Sequence, residues 1–380
     1  MLREYFFFYH HSHARSIEAD MRILKFFLLA VYGVFPSVLF GEAPTKHDFE
    51  MVKVAEGIYG FIANESNSGA VQGNVVLIVG EKSALLIDSG QFPTLAERMA
   101  AKAREVTDKP VRLLINTHWH GDHLLANHIF REKFPGLLVL AHQNAKEPML
   151  KYYAKWDEEV KSFPTIVEQM RTQLKSGKRR SGAPLDDEQK LGLQMDIDSL
   201  EVNYPEMIRT KFEAPDMYFT KEISFDVGNR EVKVANYGWG NTAGDAVIHV
   251  PDVKVLITGD TVVYPTPYSF GSNHSEWIKI LNQFLSIGAE KIIPGHGPVM
   301  TDTSYIKTLI SLLEDTRTQV RAAVKEGLKL EDVRKRVTLE DWKTKLAGND
   351  KFRRRAFRDF YLNPGIEQAY KEAVGEPLTE

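Results

Sequence analysis

The chain has 380 residues, 43% hydrophobic and 26% charged, with a formal net charge of −3 and no cysteine. Those values describe a globular protein of one large domain with additions, or of two domains. They exclude disulfides, thiolate zinc sites and cysteine nucleophiles, and they offer no basic surface for nucleic acid, since the short cluster Lys175, Lys178, Arg179 and Arg180 reads as a solvated loop.

In chain order, the first pattern is a targeting one. Met21 to Lys25 is a short basic start, Phe26 to Phe40 is a nearly unbroken apolar run, and in Gly41-Glu42-Ala43 the glycine and alanine supply small residues at the −3 and −1 positions of a cleavage site. This is the layout of a secretory signal peptide. The run is too short, and too interrupted by Gly33 and Pro36, for a membrane span. Met21 is then the natural start, and residues 1–20, with His10, His11 and His13, are discarded sequence. The expectation is a periplasmic or secreted protein beginning near Pro44, with no stable span in its mature form.

Short strands follow. A pair lies within Val52 to Ile62, turning at Gly57; further strands lie over Asn74 to Val79 and Ala84 to Ile87. Thr94 to Val106 predicts a helix capped by Thr94. Val111 to Ile115 is a strand, Leu124 to Phe130 a helix and Leu137 to Leu140 a strand. Residues 145–212 change character: charged, apolar at helical spacing, and broken into two helical segments by Ser176 to Pro184. They read as a helical insertion that covers the site. Strands return at Glu222 to Val227, Glu231 to Ala235, Ala246 to Val250 and Val253 to Thr258. A helix over Ser275 to Ile287 and a strand over Lys291 to Ile293 precede a helical carboxy terminus, whose amphipathic stripes serve core or dimer contacts. This alternation predicts a layered α/β fold.

The chemistry begins where the strand over Val111 to Ile115 ends. His118, His120, Asp122 and His123 follow within a few residues, too polar together for an apolar core. Side chains at alternate extended positions point the same way, so His118 and His120 can converge on one ion. Gly121 lets the chain turn, so that Asp122 and His123 face a second. Imidazole and carboxylate without thiolate suit zinc, and iron or manganese less well. Asp260, after Gly259, and His296, between Gly295 and Gly297, also stand at strand ends, where glycine lets the backbone approach an ion. His128, His142 and His274 read as structural or rim residues.

These pieces resemble the metallo-β-lactamase superfamily. The matching residues are Ile87 to Gly90, the His118-x-His120-x-Asp122-His123 run, Gly240-x-Thr242-x-Gly244-Asp245, Gly259-Asp260 and Gly295-His296-Gly297. The resemblance implies an αββα sandwich over residues 49–300, with the insertion at about 145–212 inside it, a leader region over 1–43 and a helical extension over 301–380. It implies that His118 and His120 hold one metal, that Asp122, His123 and His296 hold the other, that Asp260 bridges, and that Asp88 orders the metal loops. Asn241 stands where the family usually has a third histidine for the first metal. It is either a weak ligand or a neutral swap that binds a water, and His249 is a distant candidate for the missing donor. Without cysteine, the chain is similar to the branches near glyoxalase II, the cysteine-free lactamases and secreted enzymes linked to quinoprotein oxidation.

The function implied is a zinc hydrolase with one or two ions, acting on a small molecule. Metal-activated water would attack an ester, lactam, lactone or thioester, with Asp122 as ligand and proton acceptor. Trp119, Tyr264 and Tyr268 are candidate substrate contacts. The alternatives are a phosphodiesterase or sulfatase of the same fold, or a non-catalytic metal-binding accessory protein, owing to Asn241.

Overall fold

Strands that are apolar at every position must be covered on both faces, and the chain builds two sheets to do so. The computed structural model describes residues 47–65, 71–179 and 181–378. The leader, the start at Met21 and His10, His11 and His13 lie outside them. The hairpin β1 (Phe49–Ala55) and β2 (Ile58–Ala63) continues antiparallel into β3 (Val75–Val79) and β4 (Ala84–Ile87). Helix α1 (Pro93–Val106) leads to β5 (Val111–Ile115), and α2 (Gly121–Leu124) with α3 (Asn127–Lys133) leads to β6 (Leu138–His142). The insertion, α4 (Lys146–Tyr153), α5 (Trp156–Ser176) and α6 (Asp187–Met207), leads to β7 (Met217–Phe219). β4 to β7 are parallel, and the seven strands lie in chain order.

The second sheet has the order β12-β11-β10-β9-β8. It comprises β8 (Glu222–Asp226), β9 (Glu231–Ala235), β10 (Val247–Val250) and β11 (Val255–Val263), then, after α7 (His274–Ile287), β12 (Lys291–His296) parallel to β11. The carboxy-terminal helices are α8 (Ser304–Lys325), α9 (Leu330–Arg336), α10 (Glu340–Ala347), α11 (Lys351–Ala356) and α12 (Asn363–Val374), with a π-helical stretch, Phe357–Leu362, before the last.

Side-chain alternation divides the core. In β3, Val76 and Ile78 join the layer between the sheets, while Val75 and Leu77 face the helices outside; β4 repeats this with Leu85 and Ile87 against Ala84 and Leu86. In the other sheet Val255, Ile257 and Ile293 point inward, and Leu256 and Ile292 pack under α7 and α8. The layers are therefore helix, sheet, sheet, helix: the expected αββα sandwich. Among the described residues no helix is long and apolar enough to cross a membrane.

Several elements depart from the sequence reading. Pro93 opens α1 and Phe92 precedes it, so Thr94 lies inside the helix and its hydroxyl donates to Glu206 (2.5 Å) instead of capping. The helix expected over Leu124 to Phe130 breaks at Leu125 and Ala126 into α2 and α3. The insertion holds three helices rather than two, although its break falls where expected: Gly177 ends α5, and Asp186 with Gln189 forms a capping box on α6. β11 does not stop at Thr258 but carries Gly259 and Asp260 on to Val263.

Ile78 is fully buried between the sheets. Ile78→Ala should lower the unfolding free energy by about 2–5 kcal/mol, read from the urea midpoint. A change below about 1 kcal/mol would show that the inter-sheet layer is not packed as described.

Candidate metal centre

The parallel pairs β4–β5 and β11–β12 end at one rim, and the loops beyond them carry the polar cluster. Gly295 permits the closest approach there, since a Cβ on it would stand 1.9 Å from Asp260 Oδ1. Gly259 has φ +53°, and its Cβ would strike Thr117 Oγ1 at 2.6 Å. Larger residues at either place would push the two sheets' loops apart.

Asp88 organises the first set of ligand-capable side chains. Its Oδ1 accepts from the Thr117 N–H (2.7 Å), and its Oδ2 from Thr117 Oγ1 (2.8 Å). Oδ2 also meets His123 Nδ1 at 2.8 Å, which turns His123 Nε2 inward. Thr117 Oγ1 lies 3.0 Å from His118 Nδ1 and sets that ring in the same way.

Two groups of atoms then converge. His123 Nε2 lies 3.2 Å from His296 Nε2, 3.3 Å from Asp122 Oδ2 and 3.2 Å from Asp260 Oδ1. His296 Nε2 lies 2.9 Å from Asp122 Oδ2. On the other side, His118 Nε2 lies 2.9 Å from His120 Nδ1 and 3.5 Å from Asp260 Oδ2. Each of two sets, His118 with His123 and Asp260, and Asp122 with His123 and His296, is close enough to hold a metal ion. Asp260 contributes one oxygen toward each side.

The cluster's hydrogen bonding fits a cation better than it fits protein alone. Asp122 Oδ2 and both Asp260 oxygens are buried, yet accept no aligned hydrogen bond from the described residues. Unpaired buried carboxylate oxygens are costly unless a cation or donor satisfies them. Here lone pairs from imidazole and carboxylate face a common point, which is the arrangement an ion would satisfy.

Charge separates the histidines. Burial depresses His118 far below the usual imidazole value and His120 to about 4, so both are neutral donors. Burial also opposes a proton on His123 and His296, but Asp260 and Asp122 outweigh it, raising His123 well above its ordinary value and His296 to about 9. Burial raises the Asp122 and Asp260 carboxyls, yet His123 and His296 prevail and hold both below the usual carboxylate range. For Asp88, burial wins and pushes the carboxyl up despite His123 and Thr117.

The remaining candidates fall into place around this cluster. Asn241 is buried; its N–H donates to Asp245 Oδ2 (2.7 Å) and its Nδ2 to the Tyr268 carbonyl (2.7 Å), while Oδ1 has no donor among the described residues. The Tyr268 ring lies 5.3 Å from that of His296. Tyr264 is on the rim, 40% exposed, and packs on Tyr305. Trp119 is only 1% exposed and packs between His120 and Tyr152 in the outer core, so it backs the site instead of walling it.

His249 sits in mid-strand, paired with Lys233 and Leu256. His142 faces the Thr220 carbonyl and caps Asn144, His128 bonds the Leu125 carbonyl, and His274 bonds Ser269. Sequence reasoning missed Thr117 and Asn74. Asn74 donates from Nδ2 to the Pro294 and Gly297 carbonyls, clamping the His296 loop, and nothing in its local pattern announces that bond.

Comparison with known proteins identifies the family. A model of the metallo-beta-lactamase superfamily matches residues 68–296. A linear primary-alkylsulfatase from Pseudomonas sp. is 20% identical over 248 residues, which is 63% of this chain and 44% of the relative. The chain thus spans less than half of that relative's length. The solved sec-alkylsulfatase Pisa1 from Pseudomonas sp. aligns with 86% of this chain and 50% of its own, at 16% identity and a TM-score of 0.57, a likeness of fold. A metallo-beta-lactamase from Pontibacter korlensis covers 70% of this chain and 99% of its own, at 18% identity and a TM-score of 0.49.

Asp88→Asn keeps the volume but replaces an acceptor of His123 with an amide. It should weaken zinc binding about 10–100-fold with an unchanged circular dichroism spectrum; unaltered affinity would remove Asp88 from the centre. Asp260 and Asp122 favour protons on His123 and His296, so zinc binding should release protons near neutral pH, fewer as the pH rises through about 9. Titration calorimetry in buffers of different ionisation enthalpy measures this, and no release would contradict the charge assignment.

Proposed function

The chain belongs to the metallo-β-lactamase superfamily, and on that premise we propose that it is an exported zinc-dependent hydrolase of a small ester, lactam, lactone or thioester. The observation that carries the reading is Asp260, whose two buried oxygens face different ligand-capable side chains, Oδ2 toward His118 and Oδ1 toward His123 and His296. Export is supported by the basic start at Met21 and the apolar run to Phe40.

In this proposal His118, His120 and Asp260 hold one ion, and Asp122, His123, His296 and Asp260 hold the other. A mixed imidazole–carboxylate set without thiolate favours zinc. Bound zinc would supply Lewis acidity and lower the pKa of a water to about 7. The protein's part is positional: Asp88 and Thr117 fix the rings of His123 and His118, and the rim around Tyr264 and Tyr268 borders the substrate. Asp122, buried with its carboxyl held below the usual carboxylate range beside His296, would help hold the ion and would be the group placed to accept a proton from the water it activates.

Asn241 Oδ1 acts as a weak donor to the His118–His120 side, poorer than imidazole. It is buried without a donor among the described residues, which supports that role. The ion on that side is then held less tightly than its neighbour.

A second reading, hydrolysis of a sulfate ester, is favoured by the match to an alkylsulfatase. A panel of nitrophenyl carboxylate esters, nitrocefin, a thioester, nitrophenyl sulfate and bis-nitrophenyl phosphate separates the two. The proposal expects turnover on a carbonyl substrate, lost on chelation and restored by zinc. Turnover on the sulfate alone supports the second reading, and chelator-insensitive turnover contradicts both. Elemental analysis should find two zinc ions, one lost first on dialysis, with Asn241→His slowing that loss. If wild type is inert on the whole panel and Asn241→His restores turnover, the protein is a metal-binding accessory protein.

A further inference from the structure

Beside the candidate centre lies an apolar cluster separate from the three larger cores. It joins Met195 of α6, Tyr268 and Phe270 of the segment after β11, and Phe352, Ala356 and Phe360 of the carboxy-terminal helices. Tyr268 and Phe360 meet with ring centroids 5.1 Å apart, and Phe270 and Phe360 at 5.7 Å. Met195 and Phe360 are buried, whereas Tyr268, Phe270 and Phe352 stay half-buried. The wall runs up to His296 through the Tyr268 ring.

The segment that carries this wall is held at several points. The Ser269 N–H donates to the Phe360 carbonyl (2.8 Å), Gln368 Nε2 to the Phe270 carbonyl (2.7 Å), Asn241 Nδ2 to the Tyr268 carbonyl (2.7 Å) and Trp239 Nε1 to the Gly271 carbonyl (2.6 Å). Such anchoring gives a preformed surface. The cations around it already face carboxylates: Arg353 meets Glu65, while Arg355 and Arg358 both meet Asp359. The wall therefore offers a ligand hydrocarbon contact and leaves charge recognition to the metal centre. A half-covered aromatic surface of this kind, beside a polar cluster, is what an amphiphilic small molecule would cover.

We propose that the half-buried Tyr268, Phe270 and Phe352, backed by the buried Met195 and Phe360, form the specificity wall of the site, taking an extended uncharged hydrocarbon group of the substrate whose polar end lies at the metal centre. The proposal rests on the metallo-hydrolase reading above and adds the substrate class.

Straight-chain alkylphosphonates test it by binding alone, with calorimetry on the zinc-loaded full chain. Affinity should rise about three- to fourfold per methylene over the first several carbons, the transfer gain of a buried CH₂. Phe270→Ala, at a half-buried position, should flatten that slope while leaving the shortest phosphonate's affinity unchanged, and Phe270→Leu should restore most of it. A series that binds with no chain-length dependence overturns the wall and leaves the metal reading standing. A Phe270→Ala loss equal for short and long members overturns it as well. If no member binds, both fall.

Discussion

The bond between the Asp88 carboxylate and His123 Nδ1 decides what the centre offers to an ion. With Nδ1 engaged, Nε2 of His123 faces inward, within reach of Asp122, Asp260 and His296 together. Asp88 takes up this duty at the end of β4, with φ +59°, a left-handed conformation that aspartate tolerates better than bulky residues do. Three donors, two from Thr117 and one from His123, oppose the effect of its burial without cancelling it. Thr117 in turn steadies His118, so one carboxylate sets rings on both sides of the cluster.

The balance of charge follows from that arrangement. Three buried carboxylates, Asp88, Asp122 and Asp260, face four buried imidazoles. Protons on His123 and His296 leave the cluster near neutrality, as a buried site requires. Exchanging those protons for two divalent ions would leave about one net positive charge, a field that favours a deprotonated water or an anionic substrate group. The proposed wall beside His296 would add hydrocarbon contact, and the two surfaces together would select for a molecule with one polar and one hydrocarbon end.

The sequence is most legible where function concentrates chemistry. His118, His120, Asp122 and His123 stand within one short segment, and Asp260 and His296 are marked by neighbouring glycines whose Cβ atoms would collide with the site. The doubly buried strands are legible for a related reason: continuous apolar runs such as Val75–Val79 have no other stable place. Long-range bonds leave no such trace. Asn241 reads as a ligand substitution, yet its amide nitrogen holds the Tyr268 carbonyl, a partner distant in the chain. Trp119 reads as a wall because of its neighbours, but its ring turns back into the helical core. Gly259 reads as the end of a strand, whereas β11 runs on through it because β12 pairs alongside.

The central claim, two ions sharing Asp260, is tested most directly by crystals of the zinc-loaded protein measured across the zinc absorption edge. The account predicts two anomalous peaks flanking Asp260, one contacted by His118 and His120 and the other by Asp122, His123 and His296. A single peak without Asp260 as a ligand, or zinc bound only elsewhere on the surface, would contradict it.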